Sequence, residues 1–184
     1  MNLPATQVVN PSNQPAAIAA GQFLTFMLSG KMYAFSIVQI KEILGYGLLT
    51  TVPMMPGYIR GVINLRGAVV PVVDLSARFG STQSEVTKRS CIVIIEVNSG
   101  DGRQDIGVIT DTVSEVLSIS AEDLTAPPMF GATIRTDFMA GMAKFKDKFV
   151  IILNVDKVLS VDELAMVGDA AQQAIFEPLS VASQ

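Results

Sequence analysis

The sequence predicts an all-β protein made of two small barrels packed together, and three observations carry that prediction. Short apolar runs rich in Val, Ile and Phe recur along the chain, punctuated by Gly, Pro, Asn and Asp turns. Segments long enough to serve as crossover helices are missing, which argues against a βαβ sheet. The two halves also repeat each other. Residues 34–44 match 107–117 at an offset of 73, and residues 69–74 match 149–154 at an offset of 80. Gly61 falls against Gly141 and Leu65 against Phe145, with extra residues around 129–136 accounting for the change of offset. Each copy holds roughly 65 residues, too few to close a good core alone, so two copies must share one.

The elements follow in order. Residues 1 to about 20 are polar, uncharged and without period, and predict a flexible tail. Residues 22–29 and 32–35 form a hairpin around Gly30-Lys31. Ser36-Ile37-Val38-Gln39 fits a capping box and predicts a short helix with Ile37, Ile40 and Leu44 on its apolar face. Apolar runs 58–65 and 68–75, separated only by Arg66-Gly67, form a tight hairpin in which Gly67 supplies the positive φ. Runs 91–97 and 106–109 flank a loop of five turn-forming residues from Asn98 to Gly102. Ala126-Pro127-Pro128 breaks the chain, residues 149–155 are the last strand, and the capping box Ser160-Val161-Asp162-Glu163 opens a closing helix to about 167. The expected organisation is a tail at 1–20, lobes at about 21–88 and 89–157, a closing helix at about 160–167, and a flexible tail at 168–184.

Composition excludes several classes of function. Hydrophobic residues make up 49% and charged residues only 16%, so much of the chain is buried. The formal charge of −4 is unevenly placed: no charged side chain precedes Lys31, and only acids follow Lys157, namely Asp162, Glu163, Asp169 and Glu177. Lys144, Lys146 and Lys148 are the one compact basic group, too little for a nucleic-acid face. The absence of histidine removes Ser/His/Asp and Cys/His catalysis, imidazole metal sites and phosphohistidine chemistry. The N-terminus lacks the pattern of a signal peptide, no apolar run is long enough to span a bilayer, and the lone Cys91 fits a cytoplasmic protein and a buried strand.

Candidate functional residues emerge where the copies differ. The central hairpin turn is Asn64-Leu65-Arg66-Gly67 in the first copy and Lys144-Phe145-Lys146-Asp147 in the second. Arginine is suited to fork onto a carboxylate or backbone carbonyls of a partner. Gly61 and Gly67 permit close backbone approach, and Met54 and Met55, in a loop bounded by Pro53 and Pro56, offer adaptable apolar contact. Asp74 and Asp111 each end an apolar strand. They are read as caps, Asp74 of a helical turn and Asp111 of a turn near Thr112, with a small metal-binding or carboxylate-dependent enzyme as the alternative use of the pair.

The run Tyr33-Ala34-Phe35, Ile40-Lys41-Glu42-Ile43, Val52-Pro53 and Ile59-Arg60-Gly61-Val62-Ile63-Asn64-Leu65-Arg66-Gly67, followed by Val70-Pro71-Val72-Val73-Asp74-Leu75, resembles the CheW family of chemotaxis coupling proteins. Gly107-Val108 through Asp111 and Val113-Ser114-Glu115-Val116-Leu117 extend the resemblance to a region of about 21–166. It implies two five-stranded SH3-like barrels with short helices and a C-terminal helix. It further implies a cytoplasmic, non-catalytic adaptor without cofactor that links chemoreceptor cytoplasmic tips to the CheW-like regulatory domain of the histidine kinase CheA. The positions implied for receptor contact are Ile40, Glu42, Gly61, Asn64, Arg66, Gly67, Val113 and Val116. No motif identifies the kinase surface, for which Met54 and Met55 are the candidates.

Overall fold

The computed structural model describes residues 19–100, 102–127 and 134–160. Eleven strands are named among them: β1 Gly21–Leu28, β2 Lys31–Ser36, β3 Ile40–Gly45, β4 Ile59–Leu65, β5 Ala68–Asp74, β6 Cys91–Ser99, β7 Gly102–Thr110, β8 Thr112–Ile119, β9 Leu124–Thr125, β10 Met139–Phe145 and β11 Lys148–Leu153. Two one-turn helices, α1 Leu75–Arg78 and α2 Val155–Val158, follow β5 and β11. The strands form a six-stranded sheet ordered β8-β1-β2-β11-β10-β9 and a five-stranded sheet ordered β3-β6-β7-β5-β4.

The sheets are not cut from the chain at residue 88, as the expected lobes would require. Each repeat sends its first hairpin into the other repeat's sheet. Hairpin β1–β2 pairs antiparallel with β8 and parallel with β11, while β6–β7 pairs antiparallel with β3 and parallel with β5. The reason lies in burial on two faces. One side of each hairpin fills its own sheet, with Phe23, Ala34, Val150 and Ile152 in one and Val70, Val72, Ile92 and Ile94 in the other. The other side enters a shared core, where Leu24, Phe26, Tyr33 and Phe35 of the first hairpin join Val93, Ile95, Ile106 and Val108 of the second. Strands buried on both faces read as continuous apolar runs, and exchange lets both hairpins bury both faces at once.

The pseudo-symmetry extends to irregularities. Lys41 bulges from β3 between the pairs Ile40–Ile95 and Glu42–Ile94, and Ser114 and Glu115 bulge at the matching place in β8 between Val113–Phe26 and Val116–Leu24. Buried Thr25 satisfies that second bulge. Its hydroxyl donates to the Glu115 carbonyl at 2.7 Å and accepts from the Glu115 amide at 3.2 Å. Arg60 in β4 and Ala140 in β10 bulge in the same way, 80 residues apart.

Four local expectations are corrected. Ser36-Ile37-Val38-Gln39 makes a single 3-10 turn without a side-chain cap, and Ile40 and Leu44 lie on strand β3, because pairing with β6 outweighs a short capping signal. The five-residue loop after Val97 shrinks to the two residues between Ser99 and Gly102, since the pairing of β6 with β7 continues to the turn. Asp111 caps no turn at Thr112, which begins β8; its carboxylate accepts from the Ser29 amide at 2.7 Å and holds the β1–β2 turn. The last strand, expected over 149–155, is Lys148–Leu153, and Val155 begins α2, capped by Asn154 as Asp74 caps α1. The leading tail up to residue 18 and the closing helix and tail after Ser160 lie outside the described residues.

Candidate functional site

The β4–β5 turn is a two-residue reversal in which Arg66 and Gly67 both have positive φ, 51° and 87°. Such a turn matches the twist of its flanking strands. The Asn64 side chain accepts from the Gly67 amide at 2.9 Å and fixes the turn from within. Arg66 then reaches across to β3, where its two terminal nitrogens donate to the two oxygens of Glu42 at 2.7 and 3.2 Å. Strands β3 and β4 are the two outer strands of their sheet, so this fork draws its edges together. Thr50 helps by pairing with Val62 through reciprocal backbone bonds of 2.8 and 2.9 Å.

That pairing explains Gly61. A Cβ at this position would lie 2.5 Å from the Thr50 carbonyl oxygen, and φ is 151°. Glu42 is itself aimed by the Lys41 bulge. Beside it on β3, the Lys41 ammonium donates to both Asp105 oxygens at 3.0 and 2.9 Å and lies 3.6 Å from Glu96, which also pairs with Arg103. The hydrogen bond to Asp105 raises the Lys41 pKa above its ordinary value.

Glu42, Asn64, Arg66 and Gly67 are thus one hydrogen-bonded cluster, with Arg66 largely exposed at 77% and Glu42 half-sheltered at 24%. Ile40 and its repeat partner Val113 lean against the shared core from strands β3 and β8. Val116 stands on β8 opposite Leu24, in the other sheet, and is partly exposed. The two methionines separate: Met55 packs on the shared core, whereas Met54 is fully exposed with φ 60°. Pro53 followed by a positive-φ residue is the arrangement of a type II turn, a place where a side chain normally costs about 1 kcal/mol.

The turn is less singular than its sequence suggests. Lys146 and Asp147 also have positive φ, and Lys146 lies 4.0 Å from Glu115, the repeat counterpart of Glu42. Both copies therefore place a cation on the turn against a glutamate on the facing edge, and only the first makes a two-pronged bond. Sequence reasoning also missed Val69, an exposed apolar residue paired across the strands with Asn64, although its repeat counterpart Phe149 is exposed in the same way.

Asp74 offers no open ligand position. Asp74 is fully buried; it accepts from the Ser76 and Ala77 amides, the Ser84 amide and hydroxyl, and Arg60 at 2.8 Å. The arginine partner was missed because it bulges from an otherwise apolar strand. Asp111 is engaged by Ser29. Among the described residues no three His, Cys, Asp or Glu side chains gather as a metal set. Cys91 is partly exposed at the start of β6. Among the described residues no helix is long and apolar enough to cross a membrane.

Comparison with known proteins agrees with the fold. Residues 22–163 match the model of the CheW-like domain. A chemotaxis protein CheW of Klebsiella aerogenes is 31% identical over 151 residues, covering 82% of this chain and 89% of that protein. One from Bacillus subtilis is 33% identical over 146 residues, covering 78% and 90%. The crystal structure of the scaffolding protein TtCheW from Thermoanaerobacter tengcongensis superposes with a TM-score of 0.69 at 33% identity, covering 79% of this chain and 91% of that one. With a family model matched over 22–163 and relatives 31–33% identical over most of its length, the chain belongs to the family of CheW-like domain proteins.

Proposed function

We propose that this chain is a non-catalytic chemotaxis adaptor that couples chemoreceptor cytoplasmic tips to the histidine kinase CheA on the cytoplasmic side of the membrane. One observation carries the reading: a rigid turn, braced by Asn64 and Glu42, presents Arg66 at the surface of a CheW-like fold. A receptor helix pair would meet Arg66, Asn64 and Gly67 at the turn, with Val69 beside them, and Ile40, Val113 and Val116 along the β3 and β8 edges. Gly61 and Glu42 hold the turn in shape. Met54, an apolar side chain fully exposed on a strained turn, is the described residue of that loop best placed to anchor the kinase.

Coupling here is a matter of free energy shared between contacts. A receptor change that alters binding at the turn alters, by linkage, the stability of the kinase contact elsewhere on the same rigid body. Interfaces of about 800 Å² or less per partner give pairwise affinities near micromolar, which multivalent arrays make effective. Size-exclusion co-elution of this chain with a receptor cytoplasmic fragment and with CheA tests the reading. Co-elution with both supports it, and co-elution with neither at tens of micromolar, on the order of the expected affinity, contradicts it.

A further inference from the structure

Strand β3 changes face in mid-course. Ile40 leans on the shared core, whereas Leu44 packs on the Val70, Val72, Ile92 and Ile94 cluster of its own sheet. Residues four apart on a regular strand share a face, so a reversal lies between them. It is the bulge at Lys41, which stands opposite no residue of β6 because Ile40 pairs with Ile95 and Glu42 with the adjacent Ile94. Glu42, two residues before Leu44, is thereby placed on the Leu44 side, where Arg66 meets it with bonds of 2.7 and 3.2 Å. Without the bulge, alternation would put Glu42 on the face of Ile40, toward the shared core.

The two copies secure this bulge differently. In β8 the equivalent reversal, from Val113 on the shared core to Leu117 in its own sheet, is held from inside by the buried Thr25 hydroxyl. In β3 the anchor is a charge at the surface. The Lys41 ammonium reaches over β6 to β7, donating to both Asp105 oxygens at 3.0 and 2.9 Å and passing Glu96 at 3.6 Å. Glu96 and Asp105 face each other directly across β6 and β7, an arrangement of like charges that opposes pairing until a cation stands between them. Lys41 serves both carboxylates and so ties three strands together, while Arg103 pairs with Glu96.

We propose that Lys41 is a positioning residue of the Arg66 turn: its ammonium, clamped by Asp105 and Glu96, pins the β3 bulge that turns Glu42 toward Arg66. The proposal rests on the reading of Arg66 as a receptor contact, and adds that the aim of its guanidinium is set by two carboxylates on β6 and β7.

Two readouts on the full-length chain test it. In the free protein, nitrogen-resolved NMR follows the terminal N–H groups of Arg66, whose signals are held apart while both nitrogens are bonded to Glu42 and merge when the guanidinium turns freely. They should be separate in the wild type and in Lys41→Arg, and merged in Lys41→Met and Asp105→Asn. In isothermal titration with a receptor cytoplasmic fragment, Lys41→Met and Asp105→Asn should each weaken binding about threefold, the scale of an ion pair whose lysine is 46% exposed. Lys41→Arg should bind as the wild type does. In a Glu42→Gln background Lys41→Met should cost nothing further, because its effect passes through Glu42. Arg103→Ala should leave both readouts unchanged. Arg66 signals that stay separate in Lys41→Met overturn the proposal. A Lys41→Met loss of binding that persists in full beside Glu42→Gln also overturns it, since Lys41 would then touch the receptor itself. Merged signals with receptor binding that neither Lys41→Met nor Arg66→Ala disturbs keep the positioning role and overturn the receptor reading alone.

Discussion

Arg66 forks onto Glu42 with bonds of 2.7 and 3.2 Å, and the repeat counterparts Lys146 and Glu115 approach only to 4.0 Å. The same architectural position is thus filled twice, once by a planar two-pronged cation and once by a point charge. In the first copy the fork joins the edges of the five-stranded sheet and fixes a mostly exposed guanidinium at the surface. Its energetic value to the fold is small, because exposed pairs contribute about 0–1 kcal/mol. Arg66→Lys should therefore lower unfolding stability by less than about 1 kcal/mol in urea denaturation.

The buried counterpart behaves differently. Arg60 and Asp74 pair at 2.8 Å with the Asp74 side chain fully buried. Removing the arginine leaves an uncompensated charge inside, so Arg60→Ala should cost about 3 kcal/mol or more. A loss near that of Arg66→Lys would show that the four amide and hydroxyl donors to Asp74 suffice without the guanidinium.

Gly61 has no room for a side chain against Thr50. Gly61→Ala should destabilise by about 2 kcal/mol through displacement of the Thr50–Val62 bridge. Amide exchange at Val62, which donates to Thr50, should speed up while that of Val93 in the shared core is spared.

Thr25→Val keeps the shape of the side chain and removes the hydroxyl that serves both polar groups of Glu115. The expected cost is about 1–3 kcal/mol, since the bulge is left with unsatisfied groups beside the core. An unchanged midpoint in urea would mean that water takes over the bulge.

Burial raises the Tyr33 pKa above its ordinary value of 10.0. The folded state then holds this proton more tightly than the unfolded state, so the stability it protects is present below pH 10 and is lost as pH rises past it. Lys41 acts in the same direction: its raised pKa gives stability that is present below about 10.5 and lost as pH rises through the folded value. Urea titrations from pH 8 to 11 should show a falling midpoint, with a shallower fall in Tyr33→Phe. A fall of equal steepness in that variant would place the alkaline sensitivity elsewhere.

Much of this structure was legible in residues that act locally. The Arg66-Gly67 reversal and the Asp74 cap follow from turn and cap chemistry within a few positions, and the repeat followed from matching runs. What escaped was non-local. Nothing adjacent to the β1–β2 hairpin says that β1 pairs near residue 116 and β2 near residue 151, although its mostly apolar strands are the mark of burial on both faces. Ser36 resembled a helix cap because a four-residue signal takes no account of β6 waiting to pair with Ile40 and Leu44. The likeness of Arg66–Glu42 to Lys146–Glu115 was hidden for the same reason, since the edges that bring each pair together meet only in the folded sheet.

The account stands on Arg66 being a contact residue and not merely a brace, and binding of a receptor cytoplasmic fragment separates the two. Isothermal titration would compare wild type, Arg66→Ala, Lys146→Ala and the exchanged pair Glu42→Arg with Arg66→Glu. The account predicts that Arg66→Ala weakens receptor binding at least tenfold, about 1.4 kcal/mol, in a folded protein. The exchanged pair should stay weak and Lys146→Ala should bind normally. Normal binding by Arg66→Ala, or full recovery in the exchanged pair, would contradict it.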